Sequence, residues 1–361
     1  MSKQEKNTFG INRRGLMKSA GASLGVLAMP RLLRAQDKGE VIISTTAGLM
    51  ENSLIEHFYG RFEQETGIRV RSVGQEIPQQ WARVIAGARN NQVPFDVVNS
   101  SVSEMYQYAD YLAPIPCDDL PGIVEHALPG SCNVLGLLRT VGSMLLTWNK
   151  AAFPNGAPSN WAEFWDVETF PGARALPDTG ERDWWVPTIA LMADGVPRDE
   201  LFPLDLDRAY AKLDELRPYI AAWWKSGDNA MQIMRGGEAV ATLLYSSRAV
   251  PLAKTGEFDF TWNQSLRDIG NWSILKGSPN PQNALAFLDF FVQNPEEHLQ
   301  FSAKLSFDSN NKEAAAMLPE SERRYRPSLP ANYDQQIVAD FAWIAANREV
   351  LRERWVSWLT K

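Results

Sequence analysis

Histidine, cysteine and basic charge are all in short supply in this chain. Only three histidines, His57, His126 and His298, and two cysteines occur in 361 residues. They are scattered, and no Cys/His spacing resembles a zinc site, so the sequence offers no such metal centre. A P-loop and a strand-linked GxGxxG are both missing, which removes the usual phosphate cradles. Lys and Arg number 36 against 43 Asp and Glu. A surface of that sign argues against nucleic acid as partner, because phosphate binding needs clustered Lys and Arg. Long apolar runs are absent too: Ser19–Met29 is uncharged, but it is far shorter than the roughly 20 residues that cross a bilayer core.

That short run has a meaning of its own. Arg13, Arg14 and Lys18 precede it, the layout of a basic region followed by an apolar one in a secretory signal. The paired arginines resemble a twin-arginine signal, although Asn12 and Leu16 stand where that motif usually has Ser/Thr and Phe. Residues 1–35 are therefore expected to be an export address, with cleavage after Ala35 and a working place in the periplasm. Gly21-Ala22-Ser23-Leu24-Gly25 fits the hydrolase GxSxG string but lies inside that segment. Residues 1–35 carry seven Lys/Arg and one Asp/Glu, which leaves 29 basic and 42 acidic residues, a net charge of −13. Cys117 and Cys132 are an even pair fifteen positions apart. In an oxidising compartment they are expected to form a disulfide, two buried thiols being the alternative.

The element pattern is α/β. Glu40–Ser44, Ile68–Val73 and Phe95–Val98 read as strands that alternate with amphipathic helices, the signature of βαβ units and a parallel sheet. Asn160 is placed to cap Trp161–Trp165, with Glu163 completing a capping box. Leu206–Leu216 and Ser226–Arg235 read as helices, and Ala239–Tyr245 as an apolar strand. Asn280-Pro281 and Asn294-Pro295 are helix starts. Ile337, Phe341, Ile344, Leu351, Trp355 and Trp358 are expected to stripe one terminal helix.

These landmarks, in this order, resemble the periplasmic substrate-binding proteins of ABC importers, in their spermidine/putrescine-type branch. The matching strings include FEQETGIRV (Phe62–Val70), FDVVNSS (Phe95–Ser101), LLTWNKAAF (Leu145–Phe153), NWAEFWDVETFPGARAL (Asn160–Leu176), WWKSGDNAMQIMRGGEAV (Trp223–Val240) and LKGSPNPQNALAFLDFFVQNPE (Leu275–Glu296). The resemblance implies a type II two-lobed fold with two strand crossovers as its hinge. One lobe would take 40–142 and 270–305, the other 143–269 and 306–361. It also implies a monomer without cofactor that closes on a small molecule and docks on a permease in the inner membrane. A folded-exported enzyme is the competing class, but no nucleophile or cofactor motif supports it.

In open α/β sheets ligands lie beyond the carboxyl ends of the strands. That selects Thr45, Thr46, Ala47 and Gly48; Asn99, Ser100 and Ser101; Gly142 and Ser143; and Ser246, Ser247 and Arg248. Arg248 is expected to face the cleft and to grip an acid group through two parallel hydrogen bonds, an interlobe or surface salt bridge being the alternative. Ser100 and Ser101 at a helix start suit the same charge sign. In polyamine-binding relatives an Asp holds the amine at the place of Gly270, which is flanked here by Asn271 and Trp272, with Asp268 two residues earlier. Glu181 and Asp183 beside Trp184 and Trp185 are placed to supply an acidic, aromatic wall, lobe packing with a solvated acid being the alternative. The expected solute is thus an ω-amino acid or organic anion, with a polyamine as the alternative.

Overall fold

The computed structural model describes residues 38–178, 183–305 and 307–361, so the expected export segment and Glu181 lie outside the described residues. Strands β1 (Glu40–Thr45), β2 (Arg69–Gly74) and β3 (Val97–Ser101) pair in parallel and form one flank of a mixed sheet. Two short strands follow, β4 (Leu112–Ala113) and β5 (Cys132–Asn133), and then the long β6 (Gly136–Asn149). The other flank holds β7 (Arg174–Pro177), β8 (Ile220–Trp224) and β9 (Ala241–Tyr245), with β7 parallel to both of its neighbours. The longest strand is β10 (Phe258–Leu275), and β11 (Asp308–Ser309) adds a short pairing to β6. The order across the sheet is β2-β1-β3-β10-β6-β9-β7-β8.

The centre of that order departs from an all-parallel sheet. β6 and β10 run antiparallel, from Asn149 opposite Phe258 to Leu137 opposite Trp272. The far end of β10 pairs with β3, while the far end of β6 pairs with β9. Two strands therefore carry the chain from one flank to the other. The flanks have separate cores. One gathers Leu145, Trp161, Phe164, Trp185, Leu213, Trp224, Leu244 and Trp355. The other gathers Val41, Phe58, Phe62, Val97, Trp272, Phe287, Phe291 and Phe301, and a third cluster around Ile42, Trp81, Phe95 and Met105 backs the same flank.

Several local expectations shift. Asn99 and Ser100 are strand residues, because they pair with Trp272 and Asn271 of β10, and only Ser101 caps the Val102–Gln107 helix. The terminal stripe is split: Phe341–Ala346 and Arg348–Leu359 are separate helices, and Ile337 lies before both, bridged to Leu266. Asn280 does not cap the Pro281–Phe291 helix. Its side-chain amide donates to buried Asp96, which also accepts from the N–H groups of Ile42 and Asn280 and from the Ser278 hydroxyl. One carboxylate thus ties β1 to the loop that launches that helix. Glu163 reaches past Asn160 to Ser159, while Asn160 accepts from the Glu163 N–H.

Cys117 and Cys132 are bonded to each other, with Cα atoms 5.9 Å apart. His298 is fully buried among Phe58 and Phe291. Its Nε2–H donates to the Phe291 carbonyl at 2.7 Å, which leaves Nδ1 to accept from the Ser309 hydroxyl at 2.5 Å. Burial pushes the imidazole down to about 3.

Two outcomes follow from these features. Replacing both cysteines by serine should lower stability by about 3 kcal/mol, the loop-closure value for fifteen residues; an unchanged denaturant midpoint would show the loop to be held by other contacts. His298 stays neutral in the folded chain, whereas in the unfolded chain it titrates near 6.5. As pH falls from about 6.5 towards 3 the unfolded state takes up a proton that the folded state refuses, so stability should decline across that window. Urea titrations at several pH values check this, and His298→Gln should flatten part of the decline.

Candidate functional site

A cavity of about 490 Å³ lies against the crossover strands and is walled by both flanks. From the first flank come Thr46, Trp81, Ser100, Ser101 and Tyr108; from the second, Asp183, Trp184, Tyr245, Ser246 and Ser247. Its floor is built from Arg139, Thr140, Gly142 and Ser143 of β6 and Asp268 and Gly270 of β10. The aromatic side chains supply apolar wall, and the floor supplies polar groups, the usual composition of a small-molecule site.

Arg139 is the central group. In the register of β10 against β6, Gly270 faces Thr140 and the next residue, Asn271, faces Leu138, so Arg139 is the extra residue of a β-bulge. Bulges re-aim side chains, and here an arginine inside an apolar strand is turned into the cavity. It is only 6% exposed, and its Nε and Nη1 have no hydrogen-bond partner. Its guanidinium lies over the Trp272 ring, 5.1 Å from the centroid. Among the described residues no carboxylate forms an ion pair with it; the charged-group neighbour is Tyr59, whose phenol burial keeps neutral. Burial lowers the Arg139 pKa to about 10, which still leaves a full positive charge at neutral pH. A dry guanidinium with free N–H groups and no counter-ion is a receptor for an anion.

Other polar groups stand near that charge. The Ser100 hydroxyl is buried, lines the cavity and has no partner. Ser143 has its hydroxyl bonded to the Leu266 carbonyl and donates its N–H to Ser246 Oγ, which fixes the crossover to the start of the Ser246–Ala253 helix. Asp183 is half-buried, and burial raises its carboxyl while Arg352 and Arg348 pull it back. Phe341 closes one side: it packs edge-on to Trp184 with centroids 5.7 Å apart and also touches the cluster that holds Val102 and Met105.

Of the residues expected at the site, Thr46, Ser100, Ser101, Ser143, Trp184 and Ser247 line the cavity. Others do not. Thr45 is buried in β1, and Ala47 is exposed in the turn after it. Asn99 is buried and bonded to Gln80 and Ser44, so it positions Thr46, whose hydroxyl donates to it, without reaching the cavity. Asn271 is buried in the strand pairing, and Trp272 is fully buried against Phe287 and Phe291. Ser101 lines the wall, but its N–H and hydroxyl both bond Glu104, so a protein carboxylate already occupies that helix start.

Arg248 stands apart from the cavity lining in this structure. β9 runs straight into the Ser246–Ala253 helix, so Ser246 and Ser247 meet the cavity and Arg248 turns towards the Gly227–Gly236 helix. There its Nε donates to Asp228 at 2.8 Å. The residue that sequence reasoning passed over is Arg139. Its signal was an arginine in the run GLLRTVGSMLL (Gly136–Leu146), a place where a charge must have a use or a partner.

The comparisons with known proteins agree with this geometry. Residues 58–324 match the family described as bacterial extracellular solute-binding protein. The gamma-aminobutyric acid-binding protein of Pseudomonas aeruginosa is 29% identical over 350 residues, 94% of this chain and 96% of that one. The PBP AttC of Agrobacterium tumefaciens, solved in an open unliganded conformation, superposes with a TM-score of 0.79 at 31% identity, over 89% of this chain and 100% of that one. An ABC transporter substrate-binding protein from Bradyrhizobium japonicum superposes with a TM-score of 0.76 at 27% identity, over 89% and 99%. The chain belongs to the bacterial extracellular solute-binding proteins, and its mixed α/β architecture is that of the periplasmic binding proteins.

An uncompensated buried charge costs stability. Arg139→Met should therefore leave the unliganded protein as stable as before, or more stable by on the order of 1–3 kcal/mol. A large loss in melting temperature would make Arg139 a structural residue.

Proposed function

We propose that the protein is the periplasmic solute receptor of an ABC importer and that its ligand is an ω-amino acid of the gamma-aminobutyrate type. The observation that carries this reading is Arg139, a buried cation among the residues that line the cavity, whose Nε and Nη1 have no hydrogen-bond partner. It takes the carboxylate. Asp268 lines the same floor two residues from Gly270 on β10. Alternate residues of a strand share a face, so the two positions stand roughly 7 Å apart. A cation seat and an acid at that separation suit a solute whose charged ends are divided by several methylenes. Asp183 is a second acid on the cavity wall, where Glu76, Glu104, Arg348 and Arg352 also stand, and Trp81, Tyr108 and Trp184 would cover the methylene chain. The relative named for gamma-aminobutyric acid supports the same ligand class.

Polyamine binding, the spermidine/putrescine alternative, fits less well. A diamine brings no acid group, leaves Arg139 without a counter-ion and sets like charges together in a dry site. The lobes of this reading are 40–142 with 270–305 and 143–269 with 306–361, a division that falls where β6 and β10 cross. Ligand contacts to both stabilise the closed form, and the affinity difference between forms sets the shift in population. The closed monomer then docks on its permease, and no bond is made or broken.

Arg248 supports a second reading of the acid end. Its partner Asp228 is exposed, and such surface pairs are worth about 0–1 kcal/mol. Closure could exchange Asp228 for the ligand at little cost. Calorimetric titration with gamma-aminobutyrate, putrescine, spermidine and succinate, on the native protein and on Arg139→Met and Arg248→Ala, separates these cases. The expected result is binding of gamma-aminobutyrate that weakens about a hundredfold in Arg139→Met and little in Arg248→Ala, since truncating a buried charge partner costs about 2–5 kcal/mol. Loss confined to Arg248→Ala moves the acid end to that residue. Tight putrescine binding that survives Arg139→Met overturns the proposal.

A further inference from the structure

The floor of the cavity holds a glycine whose backbone does not require it. Gly270 sits in the middle of β10 and is not among the residues with positive φ. A strand interior disfavours glycine unless something approaches closely. Here two side chains do. A Cβ built at position 270 would stand 2.6 Å from Thr140 Oγ1, 3.0 Å from Arg139 Nη2 and 3.7 Å from Arg139 Cζ. The space that a side chain would fill is the space the guanidinium uses.

We propose that Gly270 is a specificity-determining residue that fixes which sign of charge the cavity accepts. By carrying no side chain it lets the bulged Arg139 lay its guanidinium across β10, where its free N–H groups meet a ligand carboxylate. A methyl group at 270 displaces the guanidinium. A carboxylate at 270 pairs with it inside the protein and cancels the cation seat, which leaves Glu76, Glu104, Asp183 and Asp268 against Arg348 and Arg352 among the charged residues that line the cavity. The glycine and the bulge work as one device: the bulge aims the arginine, and the missing side chain gives it room. This inference rests on the reading of Arg139 as the acid-end receptor.

The test uses the mature protein with gamma-aminobutyrate and putrescine as probes, and melting temperature as the check on folding. Gly270→Ala should weaken gamma-aminobutyrate binding roughly tenfold to a hundredfold, the worth of displaced charge-assisted hydrogen bonds. Because the added methyl also meets Thr140, the double variant Thr140→Ala/Gly270→Ala removes that contact and keeps the one with Arg139; it should bind as weakly as Gly270→Ala, with Thr140→Ala alone close to native. Gly270→Asp should reverse the ratio of the two affinities in favour of putrescine, a change that a merely structural residue would not produce. Native-like gamma-aminobutyrate binding by the double variant, alongside loss in Arg139→Met, would overturn the role of Gly270 and leave the receptor reading intact. Native-like binding by Arg139→Met would instead remove the receptor reading, and this inference with it.

Discussion

The antiparallel pairing of β6 with β10 is the constraint on which the rest of the molecule depends. It satisfies the backbone of both crossings, so the chain can pass twice between separate cores without stranding polar groups. The same pairing makes the cavity floor. The Ser246–Ala253 helix packs on these strands, and the cavity opens beside them. Polar groups of both strands line it. Arg139, Thr140, Ser143 and Asp268 are all found in that stretch.

The electrostatics of the site run against those of the whole chain. The protein is acidic, yet its cavity is lined by a buried guanidinium that has no ion pair among the described residues. Long-range field and local receptor thus have opposite signs. The net charge governs encounter and solubility, whereas the choice of ligand is made by a few atoms out of contact with water. Selectivity is a difference between affinities, and the site builds that difference by leaving one charge unanswered.

Much of the fold was legible in the residues. Leu206–Leu216 forms the helix that its spacing predicts, and Gly67 and Gly237 end helices in the left-handed conformation. The family resemblance located two crossovers that hydrophobic periodicity alone does not reveal, because a long strand shared by two cores reads as one apolar run. The site was only half legible. Positions at or next to strand ends, such as Thr46, Ser100 and Ser247, follow from the rule that ligands gather beyond the carboxyl ends of strands. Arg139 does not, since its orientation comes from a bulge, and a bulge depends on the register of a partner strand more than a hundred residues away. The direction of Arg248 was hidden for a related reason: β9 passes into its helix without a loop, and the rotation of that first turn decides which side chain looks inward.

The end of the chain adds a mechanical detail. Within the terminal helices that complete the second flank, Phe341 wedges between Trp184 and the cluster around Val102 and Met105, and Arg348 hydrogen-bonds Gln107 on the first flank. In the hinged reading proposed above, the two strands are the pivots and this arm is a stay spanning the gap beside them. A hinged body with a stay does not swing freely; its travel is limited by how far aromatic rings can slide before they lose contact. The amplitude of opening in this receptor is then a property of its last twenty-odd residues as much as of its pivots.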